Sequence, residues 1–506
     1  MARKITPSFI TEIPLSVDSQ QDAELLSRFQ ASRQLYNACL NEAMVRMDLV
    51  HNSDAYKAAK KISRDEKKKR SEAFSEARIA YRYSDYDLQA YATLISNESK
   101  WIAEKLDSNT QQKIATRAFK ASEKVMFGKA KKVRFKVPTR FKSVEGKTNK
   151  QGLRWKDNQV LWGDLKLNAI IEPNNQVIQH GLNSPIKYVR LLWRELNGKR
   201  RWYAQLINEG QPYRKPKNYV SDGLVGLDLN ISNIAYVGDD HAGLLPFAEG
   251  VPTMEREISA IQRKMQRSQR GSNPDNYHPD FDGKRGRKTI TKKGKVKQGK
   301  RQWKKSANYR KFANKKRELE RKKTAYAKSQ NRKVVNDILR HGKHIKTENV
   351  SVKGWQKRYG KAISAKSPGF VQSELARKAE RAGGSFTKFS TQKTALSQTH
   401  LDGSRTKKSL SERVHKDVTG ITMHRDLFSA YLSRFVNEEN TLSLQDAASQ
   451  YRGMEPSLLE AWERFKQTAN QLGASERRQT HSPSERFSNK VKTTQPDKSV
   501  GLKVEG

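Results

Sequence analysis

Three short segments, far apart in the chain, each place one carboxylate at a defined point of a predicted element. Asp228 lies in the alternating apolar run VGLDLNISNIAYV, which predicts a strand, and Glu348 ends a second such run, HIKTENVSV. Asp426 opens the segment MHRDLFSAYL, whose apolar spacing predicts an amphipathic helix. If the two strands pair and the helix packs on them, the three carboxylates converge.

Converging carboxylates point to a divalent metal site. Hard divalent cations take oxygen ligands, and two such ions about 3.5–4 Å apart can hold both the attacking and the leaving oxygen of a phosphodiester displacement. The alternatives are local roles. An Asp after a strand is usually a turn former, and an Asp at a helix start is usually an N-cap or a partner of the helix dipole, which alone would explain Asp426. The joint order of Asp in a strand, distant Glu in a strand and Asp in a helix favours the metal site.

The charge of the chain indicates the class of partner. It carries 100 Lys and Arg against 53 Asp and Glu, a formal charge of +47 and a sequence pI near 10.1. Such a surplus predicts a polyanionic partner, because neutralising phosphates releases counterions. A membrane surface is the competing class. No apolar run approaches the roughly 20 residues that span a bilayer, and no signal peptide opens the chain, so we expect nucleic acid and no membrane.

The single cysteine, Cys39, excludes a disulfide framework and a zinc site built from cysteines. A chain with so little thiol chemistry is typical of a reducing compartment, and we expect a cytoplasmic protein.

Hydrophobic periodicity predicts an α/β multidomain chain. Residues 5–17 are predicted as an edge strand, residues 20–127 as helices, and residues 130–220 as short strands that include VRFKVPTRF. The predicted domains are a β-barrel (1–17 and 128–221) with a helical recognition insertion (18–127), a catalytic domain (222–440) with a basic helical insertion (252–340), and a C-terminal region (441–506) of short helices and a disordered polar tail.

A basic segment separates the first two carboxylates. Residues 281–320 hold 17 Lys and Arg against 3 acidic residues, with aromatic residues interleaved. The part GKRGRKTITKKGKVKQGK is predicted as a flexible loop, and a helix is expected over about 303–340. This mixture suits a channel that follows phosphates and stacks bases. The candidate nucleic-acid contacts are Trp303, Lys304, Lys305, Tyr309, Arg310 and Lys311.

At these motifs the chain resembles the TnpB family of insertion sequences and, more distantly, the type V CRISPR effectors. The resemblance covers about residues 5–435. It includes LYNACL, VRFKVPTRF, GLDLN at the first carboxylate, KTENVSVKG at the second, KAISAKSPGFVQSELARKAE, and HRDLFSAYL at the third.

The resemblance implies a ribonuclease H-like (RuvC) nuclease domain and an RNA-guided DNA endonuclease, with guide RNA and double-stranded target DNA as partners. Asp228, Glu348 and Asp426 become catalytic residues that bind two Mg²⁺ ions. The reader of the flanking DNA motif falls near Asn109 to Lys113, with Gln112 and Lys113 as candidates. A bacterial, nucleoid-associated location follows, and no protein partner is required.

The chain departs from the family at the zinc ribbon before the third carboxylate. Segments 399–403 and 416–420 keep the spacing and closing glycines of two Cys-x-x-Cys-Gly knuckles but none of the thiolates. Thr and Lys cannot form a tetrahedral zinc shell. We therefore expect no zinc and a solvated or nucleic-acid-facing loop, although four side chains could bind something: His400, Asp402, His415 and Asp417.

Three further positions differ from the family pattern. Asn230 stands where Gly is common, and Asn tolerates the left-handed backbone that such a turn can require. Ala365 and Pro368 replace residues that are typically Asp and Trp, which could alter substrate entry.

Other functions remain open at this point. An RNA-guided DNA-binding protein that represses or recruits without cutting has no need of the carboxylate trio. A basic RNA-binding scaffold would leave the three ordered motifs unexplained, and a DNA-joining transposase would need an end-recognition domain. The motifs do not distinguish a transposon-encoded protein from a CRISPR-associated one.

Overall fold

The computed structural model describes residues 6–248, 251–286, 288–299, 301–409 and 412–476. The chain divides into two compact units, with the boundary between Arg214 and Lys215. Among the helices described, none combines the length and apolar character needed to cross a bilayer.

The first unit combines a curled sheet with a block of helices. Its strands are β1 (Ser8–Ser16), β2 (Ser143–Glu145), β3 (Arg154–Lys156), β4 (Gln159–Trp162), β5 (Leu165–Ala169), β6 (Ile186–Leu196) and β7 (Lys199–Glu209). Its helices are α1 (Ser19–Asn52), α2 (Asp54–Lys61), α3 (Lys67–Ala80), α4 (Asp85–Glu98), α5 (Trp101–Lys105), α6 (Ser108–Met126) and α7 (Gln176–Leu182).

The sheet of this unit is a half-barrel in which β1 is central. The strand order is β2-β6-β7-β1-β5-β4-β3, so β1 pairs with β7 along most of its length and with β5 at its end. The prediction of an edge strand over 5–17 is therefore wrong. Alternation of buried and exposed residues shows that one face of β1 is covered, but it carries no information about how many neighbours the strand has.

The segment VRFKVPTRF is not a strand. It has no regular structure up to Val137 and then forms a short 3₁₀ turn at Pro138–Arg140. Proline has no amide hydrogen to donate to a neighbouring strand, which explains why the alternating pattern does not become a ladder here.

The helices follow the predicted pattern. Helix α1 begins with a capping box in which Asp18 accepts from the Gln21 amide and Gln21 accepts in return from the Asp18 amide. Its apolar stripe, which includes Leu25, Leu35 and Leu40, is fully buried in the core of the unit.

The second unit carries all three candidate carboxylates. Its strands are β8 (Leu224–Leu229), β9 (Asn233–Val237), β10 (Ala242–Pro246), β11 (Phe281–Arg285), β12 (Lys288–Lys292), β13 (His344–Glu348), β14 (Ser385–Phe389), β15 (Val414–Lys416) and β16 (Thr422–His424). Its helices are α8 (Val251–Gly271), α9 (Ala307–Leu339), α10 (Val352–Lys366), α11 (Pro368–Arg381), α12 (Thr391–Thr394), α13 (Arg425–Ser433) and α14 (Leu444–Glu476).

A mixed sheet of five strands forms the centre of this unit. Its order is β10-β9-β8-β13-β14: β8, β9 and β10 are an antiparallel meander, whereas β13 is parallel to both β8 and β14. Helices α9 and α11 cover one face, where Val225, Leu227 and Ile345 are buried. Helices α13 and α14 cover the other face, so the unit has three layers.

Two predictions for the second unit are corrected. The sequence predicts residues 283–300 as a flexible loop. Strands β11 and β12 form an antiparallel hairpin that overlaps this segment, with Phe281 paired with Lys292 and Arg285 with Lys288. Between residues 441 and 476, the part of this region that the structure describes, a helix of 33 residues, α14, replaces the predicted short helices, and its apolar residues Tyr451 and Leu458 are buried. The polar tail predicted as disordered, residues 475–506, lies outside the described residues from 477 onward.

Helix α13 is buried along its whole length. The predicted helix is confirmed, but all nine of its residues are buried, so its polar face is enclosed rather than exposed to solvent. The apolar spacing of MHRDLFSAYL reflects one packed face, and the polar residues of the other face are enclosed too. A glycine makes this packing possible: a Cβ at Gly226 would collide with the carbonyl oxygen of Ala430.

Candidate functional site

The structure brings the three sequence-predicted carboxylates to one side of the central sheet. Asp228 is near the end of β8 and Glu348 is the last residue of β13. The two strands are parallel with Leu227 opposite Thr347, so the two acidic residues follow directly at neighbouring carboxyl ends. Because Leu227 and Ile345 face α9 and α11, the alternation of the strands directs Asp228 and Glu348 toward α13.

Asp426 comes from the first turn of α13. Its N-cap is His424, whose Nδ1 accepts a hydrogen bond from the Asp426 amide at 3.3 Å. Asp426 is therefore not the N-cap of α13, which was one of the local roles considered for it from the sequence. Its side chain is buried at 2% exposure, which is unusual for a carboxylate that serves only the helix dipole.

The electrostatics of the site reflect this crowding. Burial raises the pKa of Asp228 well above its usual range, and the negative charges of Asp426 and Glu348 raise it further. Burial also raises the pKa of Glu348 to about 7, against a smaller opposite effect of a hydrogen bond from the Leu396 amide. The site thus holds carboxylates whose negative charge is incompletely compensated by the protein.

Asp426 has the strongest local partners. Its Oδ2 accepts a hydrogen bond from the Asn230 side-chain amide at 2.6 Å and lies 3.6 Å from a guanidinium nitrogen of Arg413. Its Oδ1 lies 3.6 Å from Nε of Arg425. These groups neutralise part of the charge of one carboxylate and leave Asp228 and Glu348 with fewer donors.

The donor set fits hard divalent cations. All three side chains offer carboxylate oxygens, and the raised pKa values of two of them are the response expected of a site that lacks a compensating positive charge. No choice of one oxygen from each of the three carboxylates brings all three within 4.8 Å of one another, so they converge less closely than the ligand atoms of His400, His415 and Asp417. A pair of ions about 3.5–4 Å apart does not require such close packing.

Sequence reasoning missed several residues of this site. Asn230, Arg413 and the amide of Leu396 all contact a carboxylate of the trio. Lys346 donates from Nζ to the carbonyls of Arg434 and Val436, just after α13, at 2.9 and 2.7 Å. Only Asn230 carried a usable signal, since it is a polar residue two positions after Asp228.

The loops before α13 enclose three buried polar side chains. His400, His415 and Asp417 are buried, and one ligand atom from each lies within 4.8 Å of the others, the one such group of three among the residues described. The prediction of a solvated or nucleic-acid-facing loop is wrong for these three residues. Asp402 is exposed and bonded to Ser404, and most residues of 402–407 and 416–420 are exposed as well.

The basic segment is ordered by its own contacts. Lys304 is held through its backbone by the buried side chain of Asn273, which donates to its carbonyl at 2.9 Å and accepts from its amide at 2.7 Å. Trp303 packs edge-on against Tyr277, with ring centroids 5.9 Å apart. Four candidate cations have exposed side chains on this framework: Lys304, Lys305, Arg310 and Lys311.

Gln112 and Lys113 lie on α6 in the first unit. Gln112 accepts from Lys147, and Lys113 places its ammonium 5.0 Å from the ring centroid of Tyr188. Lys113 also lines a cleft of about 680 Å³. The other basic residues of this cleft are Arg117, Lys120, Lys124, Lys136, Lys142, Arg190 and Arg194.

The substituted positions after the second carboxylate are structurally compatible. Ala365 packs near the small cluster of Ala248, Val251 and Ala327. Pro368 is the first residue of α11, where its missing amide hydrogen costs nothing.

Comparison with known proteins gives distant matches. No family model matches the chain, and no curated protein matches it. Among solved structures, it is similar to a Cas12f1–sgRNA–target DNA complex at 9% identity and a TM-score of 0.42, over 87% of this chain and 100% of that one. A CRISPR–Cas12f ternary complex matches at 9% identity and a TM-score of 0.30, over 84% of this chain and 83% of that one. These TM-scores are too low to assign a family or a function.

Proposed function

We propose that this chain is an RNA-guided DNA endonuclease with a ribonuclease H-like, RuvC-type nuclease domain in its second unit. The observation that carries the proposal is the convergence of Asp228, Glu348 and Asp426, from three distant segments, beside one parallel strand pair and the first turn of a buried helix. The meander of β8, β9 and β10 continued by parallel β13 and β14 agrees with the ribonuclease H-like fold that the sequence resemblance implies.

Asp228, Glu348 and Asp426 would hold two Mg²⁺ ions, which supply positive charge to the attacking water and to the leaving oxygen of the phosphodiester. Asp228 and Asp426 flank the site from β8 and α13. Glu348 completes it and orients the attacking water, with the Leu396 amide fixing its carboxylate. Asn230 and Arg413 hold the Asp426 carboxylate in position.

Guide RNA and target DNA are the proposed partners. The charge of +47 supports a polyanionic partner, and the exposed cations of residues 304–311 supply sites for phosphates. In the first unit, the cleft beside Lys113 combines many cations with the rings of Tyr36 and Trp193, a composition that suits nucleic acid.

A second candidate is an RNA-guided DNA-binding protein that does not cleave. One observation favours it: Asn230, Arg413 and Arg425 already surround the Asp426 carboxylate, so this residue has partners without any ion. The metal dependence of cleavage separates the two candidates.

The test is to sequence the RNA that copurifies with the protein and to offer the complex a DNA duplex that matches the guide. We expect cleavage in Mg²⁺, none in excess chelator, and none by Asp228→Ala, Glu348→Gln or Asp426→Ala, with guide and target binding retained. Cutting in chelator, or full cutting by any of the three variants, contradicts the assignment. Target binding without cutting by the wild-type protein favours the second candidate. A guide derived from a transposon end would indicate the TnpB branch, and a repeat-derived guide a CRISPR system.

A further inference from the structure

A buried polar cluster ties together the two loops that precede α13. Asp417 follows β15, and His400 lies in the loop after α12; His415 is the middle residue of β15. The side chains of His415 and Asp417 are completely buried and that of His400 is 3% exposed. Burying a carboxylate and two imidazoles is costly unless each polar atom is paired.

Asp417 is the hub of this cluster. Its Oδ2 accepts from Nδ1 of His400 at 3.2 Å, from Nε2 of His415 at 3.0 Å, and from the amide of Leu401 at 3.1 Å. Its Oδ1 accepts from the amide and hydroxyl of Thr419 at 3.1 and 2.7 Å. Burial opposes ionisation of Asp417, but these hydrogen bonds outweigh it and hold the pKa at about 2.

The outer nitrogens of the two imidazoles are also paired, and for His415 the partner fixes which nitrogen carries the proton. Nε2 of His400 meets the hydroxyl of Thr406 at 3.0 Å, and Nδ1 of His415 meets the ammonium of Lys408. An ammonium has only donors, so Nδ1 of His415 must accept and Nε2 carries the proton given to Asp417. Burial lowers the pKa of His415, in keeping with a neutral ring.

This cluster is in direct contact with the helix that carries the third carboxylate. The ring of His415 stacks on that of Phe428 in α13, with centroids 4.0 Å apart and planes inclined by 17°. Phe428 is fully buried and lies two residues after Asp426. The antiparallel pair β15–β16 also reaches the start of α13, because the Arg425 amide donates to the Arg413 carbonyl at 2.8 Å.

We propose that His400, Asp417, His415 and Lys408 form a metal-free clasp that cross-links the two loops and fixes the position of α13. Through the His415–Phe428 stack, Asp417 is a positioning residue for Asp426. Its role in cleavage rests on the proposed function, whereas its role in holding α13 does not.

A bound transition metal is the competing account of the same residues. Two imidazoles and a carboxylate are a common set of zinc ligands. Metal binding would require Nδ1 of His400 and Nε2 of His415 to lose the protons that they give to Asp417, and Lys408 to leave Nδ1 of His415. The contact of the Lys408 ammonium with Nδ1 of His415 therefore favours the clasp, and the experiment separates the two.

The first test is hydrogen–deuterium exchange of the full chain, without nucleic acid, over residues 425–433. We expect Asp417→Asn to speed exchange there about 30-fold, because several buried donors lose a charged acceptor. The matched control is Asp402→Asn, which makes the same change in the same region at an exposed carboxylate and should leave exchange unchanged. Exchange in Asp417→Asn equal to that in the control would overturn the proposal.

A milder variant covers the case in which Asp417→Asn does not fold. Lys408→Met removes only the outer partner of His415 and keeps the length of the side chain. We expect exchange over residues 425–433 to rise about fivefold, as for the loss of one hydrogen bond. Exchange no faster than in Asp402→Asn would then count against the clasp.

The second test is metal content. We expect elemental analysis of the purified wild-type protein to find no stoichiometric zinc, and 1,10-phenanthroline to leave its Tm and exchange unchanged. About one tightly bound zinc per chain, whose removal reproduces the exchange of Asp417→Asn and whose return reverses it, would replace the clasp by a metal site. If exchange responds as expected but the protein does not cleave DNA, the proposed function fails and the clasp stands.

Discussion

The side-chain amide of Asn230 donates a 2.6 Å hydrogen bond to Oδ2 of Asp426, a residue 196 positions further along the chain. The bond joins the end of the first motif to the start of the third. It gives Asn230 a function that its position after a strand does not suggest, since a turn former would direct its side chain to its own backbone.

Asn230→Ala should slow DNA cleavage about tenfold and raise the Mg²⁺ concentration needed for half-maximal rate, because a residue that orients a metal ligand contributes to affinity without touching the ion. The measurement is a single-turnover cleavage rate across a Mg²⁺ titration. Asn349→Ala, an exposed Asn next to Glu348, is the matched control and should cleave at the wild-type rate. An unchanged Mg²⁺ requirement in Asn230→Ala would contradict the positioning role.

The stability of the metal-free protein should depend on the ionisation of Glu348. The pKa of Glu348 is about 7 in the folded chain against an ordinary value of 4.5, so protonation of Glu348 stabilises the folded protein. The corresponding stability is fully present below about pH 4.5 and is lost as the pH rises through 7, an effect of about 3 kcal/mol.

Glu348→Gln should therefore flatten the rise in free energy of unfolding between pH 8 and pH 5, measured by urea denaturation in chelator. Glu439→Gln, in an exposed loop, is the control and should keep the wild-type slope. Mg²⁺ should also reduce the slope in the wild-type protein, because a cation favours the ionised carboxylate. A wild-type slope in Glu348→Gln would show that Glu348 is not held in the environment described.

Gly226→Ala should destabilise the second unit by about 2 kcal/mol or more, because its Cβ would meet the backbone of α13 and force the helix away from β8. Asp426 would move with the helix, so cleavage should fall as well. Gly453→Ala is the opposite control: Gly453 is exposed on α14 with open space around it, and the change should stabilise by about 0.5–1 kcal/mol. Thermal denaturation of the two variants measures the difference.

Neutralising Lys304, Lys305, Arg310 and Lys311 together should weaken guide or heteroduplex binding about equally for all sequences. The slope of log affinity against log salt should fall by up to about 4, or nearly one unit for each phosphate that the protein no longer neutralises. The preference for a flanking motif should not change, since phosphate contacts position a protein without reading bases.

The control for this variant removes four exposed lysines of the first unit, Lys61, Lys68, Lys129 and Lys199, and so lowers the net charge equally. A similar loss in both variants would mean that total charge alone sets the affinity. An unchanged slope in the first variant would show that the basic segment is only a solvated surface.

Local pattern predicted the elements of the site well and their surroundings poorly. The alternation of apolar and polar residues located the strands of Asp228 and Glu348, because successive side chains of a strand point to opposite faces of the sheet. Helix α9 was also expected, at about the residues where it occurs. The central place of β1 and the full burial of α13 were not predicted, because both depend on neighbours that come from distant segments.

The partners of the carboxylates were hidden for the same reason. Arg413 and the amide of Leu396 reach the site only through tertiary packing, so their contacts with the carboxylates could not be predicted from residue spacing. The prediction for the buried residues of segments 399–403 and 416–420 was wrong for a different reason. These segments lack the Cys residues that would have indicated a cross-link between the two loops. The His400–Asp417–His415 cluster that occupies those loops has no motif of its own.

The order of the elements along the chain has a consequence for synthesis. Of the three elements that carry the carboxylates, β8, β13 and α13, helix α13 is synthesised last. Its nine residues can be buried only after β8 has formed, because α13 packs on the surface that Gly226 leaves open. A nascent chain that ends before residue 425 holds only Asp228 and Glu348. If the chain cleaves DNA as proposed, a nascent chain without α13 lacks the third carboxylate and should not cut DNA, and a premature stop before α13 should yield an inactive protein.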